Sequence, residues 1–162
     1  MNWQTLLLSP EGRISQKDFW IGVLVLVCLW LVSHFLHVLA PLIWLLLVYP
    51  WVCIYAKRLH DFGKSGWLVL LPIVVGIGAL CLGLLFGGLG AIGALVAIFT
   101  NGAEPSAWAA VFAGLGIMLA FLGLAAIAKL VFMLWVGLSP GDPGDNRYGP
   151  PPGALAKAAP ST

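Results

Sequence analysis

The side chains able to do chemistry gather in one stretch, Lys57-Arg58-Leu59-His60-Asp61-Phe62-Gly63-Lys64-Ser65-Gly66-Trp67, in a chain of which only 9% is charged. Lys57, Arg58 and Lys64, with Gly63 and Gly66 letting backbone N–H groups come close, are the parts of a site for an anionic lipid headgroup or a phosphate. The plainer use of the same three cations is electrostatic anchoring at a membrane surface. His60 beside Asp61 is the one proton-active candidate, because imidazole titrates near neutrality and a neighbouring carboxylate raises its pKa. Such a pair also serves to cap a helix or close a salt bridge. Near the other end, Asp142, Asp145 and Arg147 carry complementary charges. A latch is therefore predicted, with Arg147 on Asp61 and Asp142 or Asp145 on Lys57 or Arg58.

Other chemistries lack their parts. Gly63-Lys64-Ser65 is a fragment of a phosphate loop, but Arg58 stands where the first glycine belongs and an apolar run replaces the preceding strand. His34 and His37 share a helix face, with Glu104 as a conceivable third group; two ligands on one helix do not make a metal site, and none is assigned. Cys28, Cys53 and Cys81 sit singly in apolar runs and read as small apolar residues. No nucleophile has a neighbouring base and no acidic pair lies within a span, so neither an enzyme nor a transmembrane proton relay is expected. A formal charge of +2 offers nothing to nucleic acid. No cofactor is implied.

The elements that hold these residues are set by the solvent. Of 162 residues 61% are hydrophobic, and the mean hydropathy is +1.02, beyond what a soluble fold hides. An all-α membrane protein is predicted, a single polytopic domain over 1–152 with four transmembrane helices at about 18–39, 42–56, 67–88 and 108–137, since about 20 apolar residues cross a bilayer. Residues 2–9 form a short interfacial helix with Trp3 at headgroup depth. Ser15 with Asp18 three residues on is a partial form of the capping box, Asp standing for the usual Glu, and starts the first span near Gln16. The N-terminal region carries no small-residue cleavage pattern and is expected to stay as an anchor. Pro50 kinks the second span without ending it. The apolar run from Trp67 to Phe99 exceeds one span, and a bend is predicted at Gly87-Gly88 and Gly90, leaving 89–99 interfacial, re-entrant or a short fifth span. The Pro/Ala/Ser-rich stretch 153–162 is expected to be disordered.

Lys and Arg count sets the orientation. Arg13 and Lys17 precede span one, Lys57, Arg58 and Lys64 lie between spans two and three, and the other two connections carry none. Both termini and the central loop are thus predicted to be cytoplasmic, with Lys129 snorkelling to the same face. Small residues recur at Ala79, Gly83, Gly87 and Ala91 and at Ala109, Ala113, Gly116, Ala120 and Gly123. These faces suit close helix packing, within the chain, between copies, or on a larger membrane partner.

Three motifs in order carry a resemblance: Gly12-Arg13-Ile14-Ser15 before Phe19-Trp20; Arg58-Leu59-His60-Asp61 with Gly63-Lys64-Ser65-Gly66-Trp67; and Pro143-Gly144-Asp145-Asn146-Arg147-Tyr148-Gly149-Pro150. Over about residues 1–152 the chain resembles the bacterial inner-membrane family catalogued as domain of unknown function 805. Ala56-Lys57 stands where that family tends to have a further arginine, and the third span is extended. The resemblance implies a small multi-pass bacterial protein and supplies no activity. The expectation is a non-enzymatic scaffold or accessory protein whose basic loop contacts anionic membrane lipid, against a rival reading as a small-solute or ion transporter or channel subunit.

Overall fold

The computed structural model describes residues 3–102 and 104–153, with no account of the Trp3 side chain. The expectations for Trp3 at headgroup depth and for a disordered stretch beyond residue 153 therefore fall outside the described residues. Six α-helices follow one another: α1 (Trp3–Leu8), α2 (Gln16–Phe35), α3 (Ala40–Asp61), α4 (Leu70–Gly83), α5 (Leu89–Asn101) and α6 (Pro105–Leu138). A 3-10 turn at Gly66–Val69 leads into α4, and a π-helical stretch at Leu84–Gly88 joins α4 to α5. Among the described residues, four helical stretches are long and apolar enough to cross a membrane: Gln16–Phe35, Ala40–Asp61, Gly66–Asn101 and Pro105–Leu138. Their outward residues are mostly Leu, Ile, Val and Phe, as helices need where lipid replaces water and every backbone group is bonded within its own segment.

By its contacts the chain divides into two compact units, one of residues up to Val69 together with those from Leu134, the other of Leu70–Met133. In the first unit, Ser15 caps α2: its hydroxyl accepts from the Asp18 N–H at 3.1 Å and donates to Asp18 Oδ2 at 2.8 Å. The helix runs to Phe35, where backbone bonds from Leu36 to Ser33 and from Leu39 and Ala40 to Leu36 close a tight turn. Trp44 Nε1 donates to Ser33 Oγ at 2.9 Å, tying α3 to α2 across that turn. His34 and His37 sit here with their Nδ1 atoms on the carbonyls of Trp30 and His34. Pro41 occupies the first turn of α3, which continues unbroken through Pro50. Phe19, Leu26, Cys53, Ile54 and Leu59 are fully buried between the helices. Gly22 makes room for Ile54, since a Cβ on it would come within 2.7 Å of Ile54 Cδ1 and push the end of that side chain aside.

In the second unit the long apolar run is helical throughout. At Gly87-Gly88, where a bend is predicted, the chain stays helical through one wide turn, and 89–99 continues as α5. The glycines serve contact with α6: Gly87 faces the Gly114 carbonyl so closely that a Cβ would collide with it, and Gly83 packs on Met118. Lys129 lies across α4 at Gly76, its Nζ 3.4 Å from where a Cβ on that glycine would be.

Candidate functional site

The site begins with helix ends. The last four carbonyls of an α-helix have no partner inside it and attract cations. Lys57 and Arg58, consecutive on α3, each supply one such end. Lys57 Nζ donates to the carbonyls of Thr5 and Leu6, the latter at 2.7 Å, closing the end of α1. Tyr49 assists with its hydroxyl on the Leu8 carbonyl at 3.0 Å. Arg58 reaches the end of α6 through Val136 O at 3.2 Å and continues to Ser139 O and Asp61 Oδ2. Lys57 is 3% exposed and Arg58 1%. Both are held inside the fold by helix-end carbonyls, and Lys57 keeps one N–H beyond its two carbonyl bonds. Of the three cations predicted to contact lipid, Lys64 alone is exposed.

α3 itself stops by a Schellman motif. Gly63 adopts φ +70°, its N–H bonds to His60 O at 3.1 Å, and Lys64 N–H bonds to Leu59 O at 2.9 Å. This leaves Asp61 at the last turn, facing inward. Its carboxylate takes Arg58 on one oxygen and Arg13 Nε on the other, the latter at 3.0 Å with the two side chains 1% and 4% exposed.

Arg13 is the centre of the arrangement. Besides Asp61 Oδ1 its guanidinium donates to Gly144 O at 2.8 Å, Gly149 O at 3.2 Å, Asp61 O at 3.1 Å and Asp142 O at 2.5 Å. A guanidinium has five N–H groups, and all are used. One residue from the loop before α2 thereby joins the end of α3 to the tail after α6.

The tail completes the joint with backbone and amide groups. Asp142 N–H donates to Asp61 O at 2.8 Å. Asn146 Nδ2 donates to His60 O and to Asp142 Oδ2, each at 2.9 Å, while its Oδ1 accepts from Tyr148 N–H. Tyr148 stacks flat on His60, ring centres 3.7 Å apart and planes 10° from parallel. His60 Nδ1 lies 3.2 Å from Gly12 O, a pairing that puts the proton on Nδ1. Gly141 passes so close to the Asp61 carboxylate that no side chain fits between them.

The tail and loop therefore meet, by pairs other than those the charges predict. Asp61 takes Arg13 and Arg58, not Arg147. The guanidinium of Arg147 instead donates to Gly63 O at 3.2 Å and covers the Tyr148 ring at 4.8 Å, on the exposed side. Asp142 bonds to Asn146 rather than to Lys57 or Arg58, and Asp145 is exposed without an ion pair among the described residues. The physical reason is reach and burial: Arg13 and Arg58 approach Asp61 from inside the fold, where an ion pair is desolvated, whereas Arg147 stays in solvent. His60 and Asp61 face different partners and do not form a histidine–carboxylate pair. Sequence reasoning missed Arg13, Asn146 and Tyr148. The signal was there in the Gly12-Arg13-Ile14-Ser15 and Asn146-Arg147-Tyr148 motifs, but charge counting treats Arg13 as an anchor and ignores neutral Asn and Tyr.

Beside the joint lies a cleft of about 280 Å³ bordered by α1, the 11–14 loop, the start of α2 and Pro152-Gly153, with Lys57, Glu11 and Asp18 among its lining.

Residues 7–150 match the family described as "Protein of unknown function (DUF805)". The "Uncharacterized protein YiiR" of Escherichia coli strain K12 and its counterpart in Escherichia coli O157:H7 are each 38% identical to this chain over 82 residues, covering 46% of it and 56% of the relative. The chain thus spans about half the length of the curated relatives it matches. No solved structure matches it.

Proposed function

This chain belongs to the DUF805 family, and from that premise we propose that it is a non-enzymatic accessory protein, or scaffold, of the bacterial inner membrane. Both termini and the 57–67 loop face the cytoplasm, by the distribution of Lys and Arg. The observation that carries the reading is the joint around Arg13 and Asp61. Its buried charges are bound to one another or to helix-end carbonyls, so they hold a fixed polar cap on an apolar anchor. Exposed Lys64 and Lys17 draw the cap toward anionic lipid, each worth about 1 kcal/mol near such a surface. The surface for a second copy or a larger membrane partner is the part of α6 whose small residues remain uncovered. Gly116 and Gly123 have open space where a side chain would stand, whereas Gly87 and Gly114 are used against each other.

The rival reading, a small-solute or ion transporter, draws on Lys129 against Gly76 in the second unit. One experiment separates them. Gently extracted protein is weighed by native mass spectrometry, and the purified protein is placed in liposomes for ion and solute flux. A complex larger than one chain with flux no greater than in empty vesicles is the expected result. A bare monomer refutes the scaffold, and flux abolished by Lys129→Leu establishes transport in its place.

A further inference from the structure

The cleft beside the joint presents an ionic problem that the fold does not solve by itself. Lys57 lines it, 3% exposed, with two of its three N–H groups on carbonyls and no carboxylate within ion-pair distance among the described residues. A buried cation bonded only to neutral oxygens keeps most of its desolvation cost. Other walls of the same cleft carry the opposite charge. Glu11 is exposed and its carboxylate has no partner among the described residues, and Asp18 spends one oxygen on Ser15. Arg13 borders the cleft but contributes no donor, since its five N–H groups are used within the joint.

We propose that this cleft binds a phosphoethanolamine headgroup, with the phosphate on Lys57 and the primary ammonium on Glu11 and Asp18. A wholly anionic headgroup satisfies Lys57 but meets two carboxylates. A zwitterion gives every charge in the cleft an opposite one, and a primary ammonium supplies N–H donors that a trimethylated one lacks. The volume of about 280 Å³ falls just short of the roughly 300–1,000 Å³ of pockets for drug-sized ligands, the size for a headgroup whose chains remain outside. Leu6 and Pro152 on its walls suit the glycerol end. The source is a membrane aminophospholipid or a soluble phosphoethanolamine ester, and the inference rests on the reading above only in placing this face at headgroup depth.

The test is native mass spectrometry of the full chain offered matched-chain phosphatidylethanolamine, phosphatidylglycerol and phosphatidylcholine in equal amounts, and separately glycerophosphoethanolamine in detergent. Wild type is expected to keep one phosphatidylethanolamine about tenfold or more over the other two, the discrimination typical of one charge-assisted contact. Glu11→Gln with Asp18→Asn, which keeps the Ser15 bond, is expected to erase that preference, and Glu11→Gln alone, at an exposed position, to reduce it. Binding of the lipid but not the soluble ester assigns the membrane source, and binding of the ester with no choice among lipids assigns the soluble one. Equal retention of all three lipids with no ester bound, or a preference unchanged in the variants, overturns the proposal. Neither failure alters the subunit mass or flux that judge the scaffold reading.

Discussion

Replacing Arg13 with methionine keeps most of the side-chain length and removes every donor. The variant leaves Asp61 with Arg58 alone and abandons the carbonyls of Asp61, Asp142, Gly144 and Gly149. Were the Arg13–Asp61 pair on the surface its loss would cost at most about 1 kcal/mol. At 1% and 4% side-chain exposure it belongs with buried pairs, where removing one partner costs about 3–5 kcal/mol. At 1.4 kcal/mol per decade the population with the tail undocked rises by roughly two to nearly four orders of magnitude. Chymotrypsin cleavage after Tyr148, read by mass spectrometry of the protein in detergent, reports that population, because Tyr148 is covered by His60 only while the tail is docked, and proteolysis tracks the open fraction when closing is fast. Arg13→Lys, with three donors for five acceptor contacts, is expected to lie between the two. A cleavage rate for Arg13→Met within threefold of wild type refutes the account of Arg13 as the group that joins loop, helix and tail.

The same assay tests neighbouring positions. Gly141→Ala sets a methyl against the Asp61 carboxylate and should open the tail by about 1–3 kcal/mol, the usual cost of overpacking. Tyr148→Leu removes the stack on His60, worth about 0.5–1.5 kcal/mol, and cleavage is then followed after Arg147 with trypsin. In the second unit, Gly87→Leu collides with the Gly114 carbonyl and should lower the thermal midpoint in detergent by several degrees, while Gly93→Leu, facing open space on α5, should leave it unchanged.

What could be read without coordinates divides along the range of the forces. Lipid-length helices follow from local composition. The Ser15 cap follows from a three-residue pattern, and the helix stop at Gly63 from a glycine after a polar turn. The partner of Asp61 did not follow, because Arg13 lies 48 residues away and charge sign alone admits Arg13, Arg58 and Arg147 equally. Burial chooses among them, and burial is a property of the assembled helices. Lys57 and Arg58 escaped for a related reason: their ligands are backbone carbonyls at the ends of α1 and α6, which every residue possesses and no side-chain motif announces. The continuous helix through Gly87-Gly88 was hidden because glycine marks close approach of a second helix as readily as a bend.

The wide turn at Leu84–Gly88 also settles the phase of the small-residue repeat. At about 100° per residue a spacing of four overshoots a full circle by about 40°, so Ala79, Gly83, Gly87 and Ala91 on a regular helix would spiral away from any one neighbour. A π turn, bonding each residue to the fifth beyond it, winds less per residue and takes that overshoot back. Gly83 therefore meets Met118 while Gly87 and Ala91 both meet Gly114. The one wide turn works as a vernier, holding Gly83, Gly87 and Ala91 in step with the same partner helix.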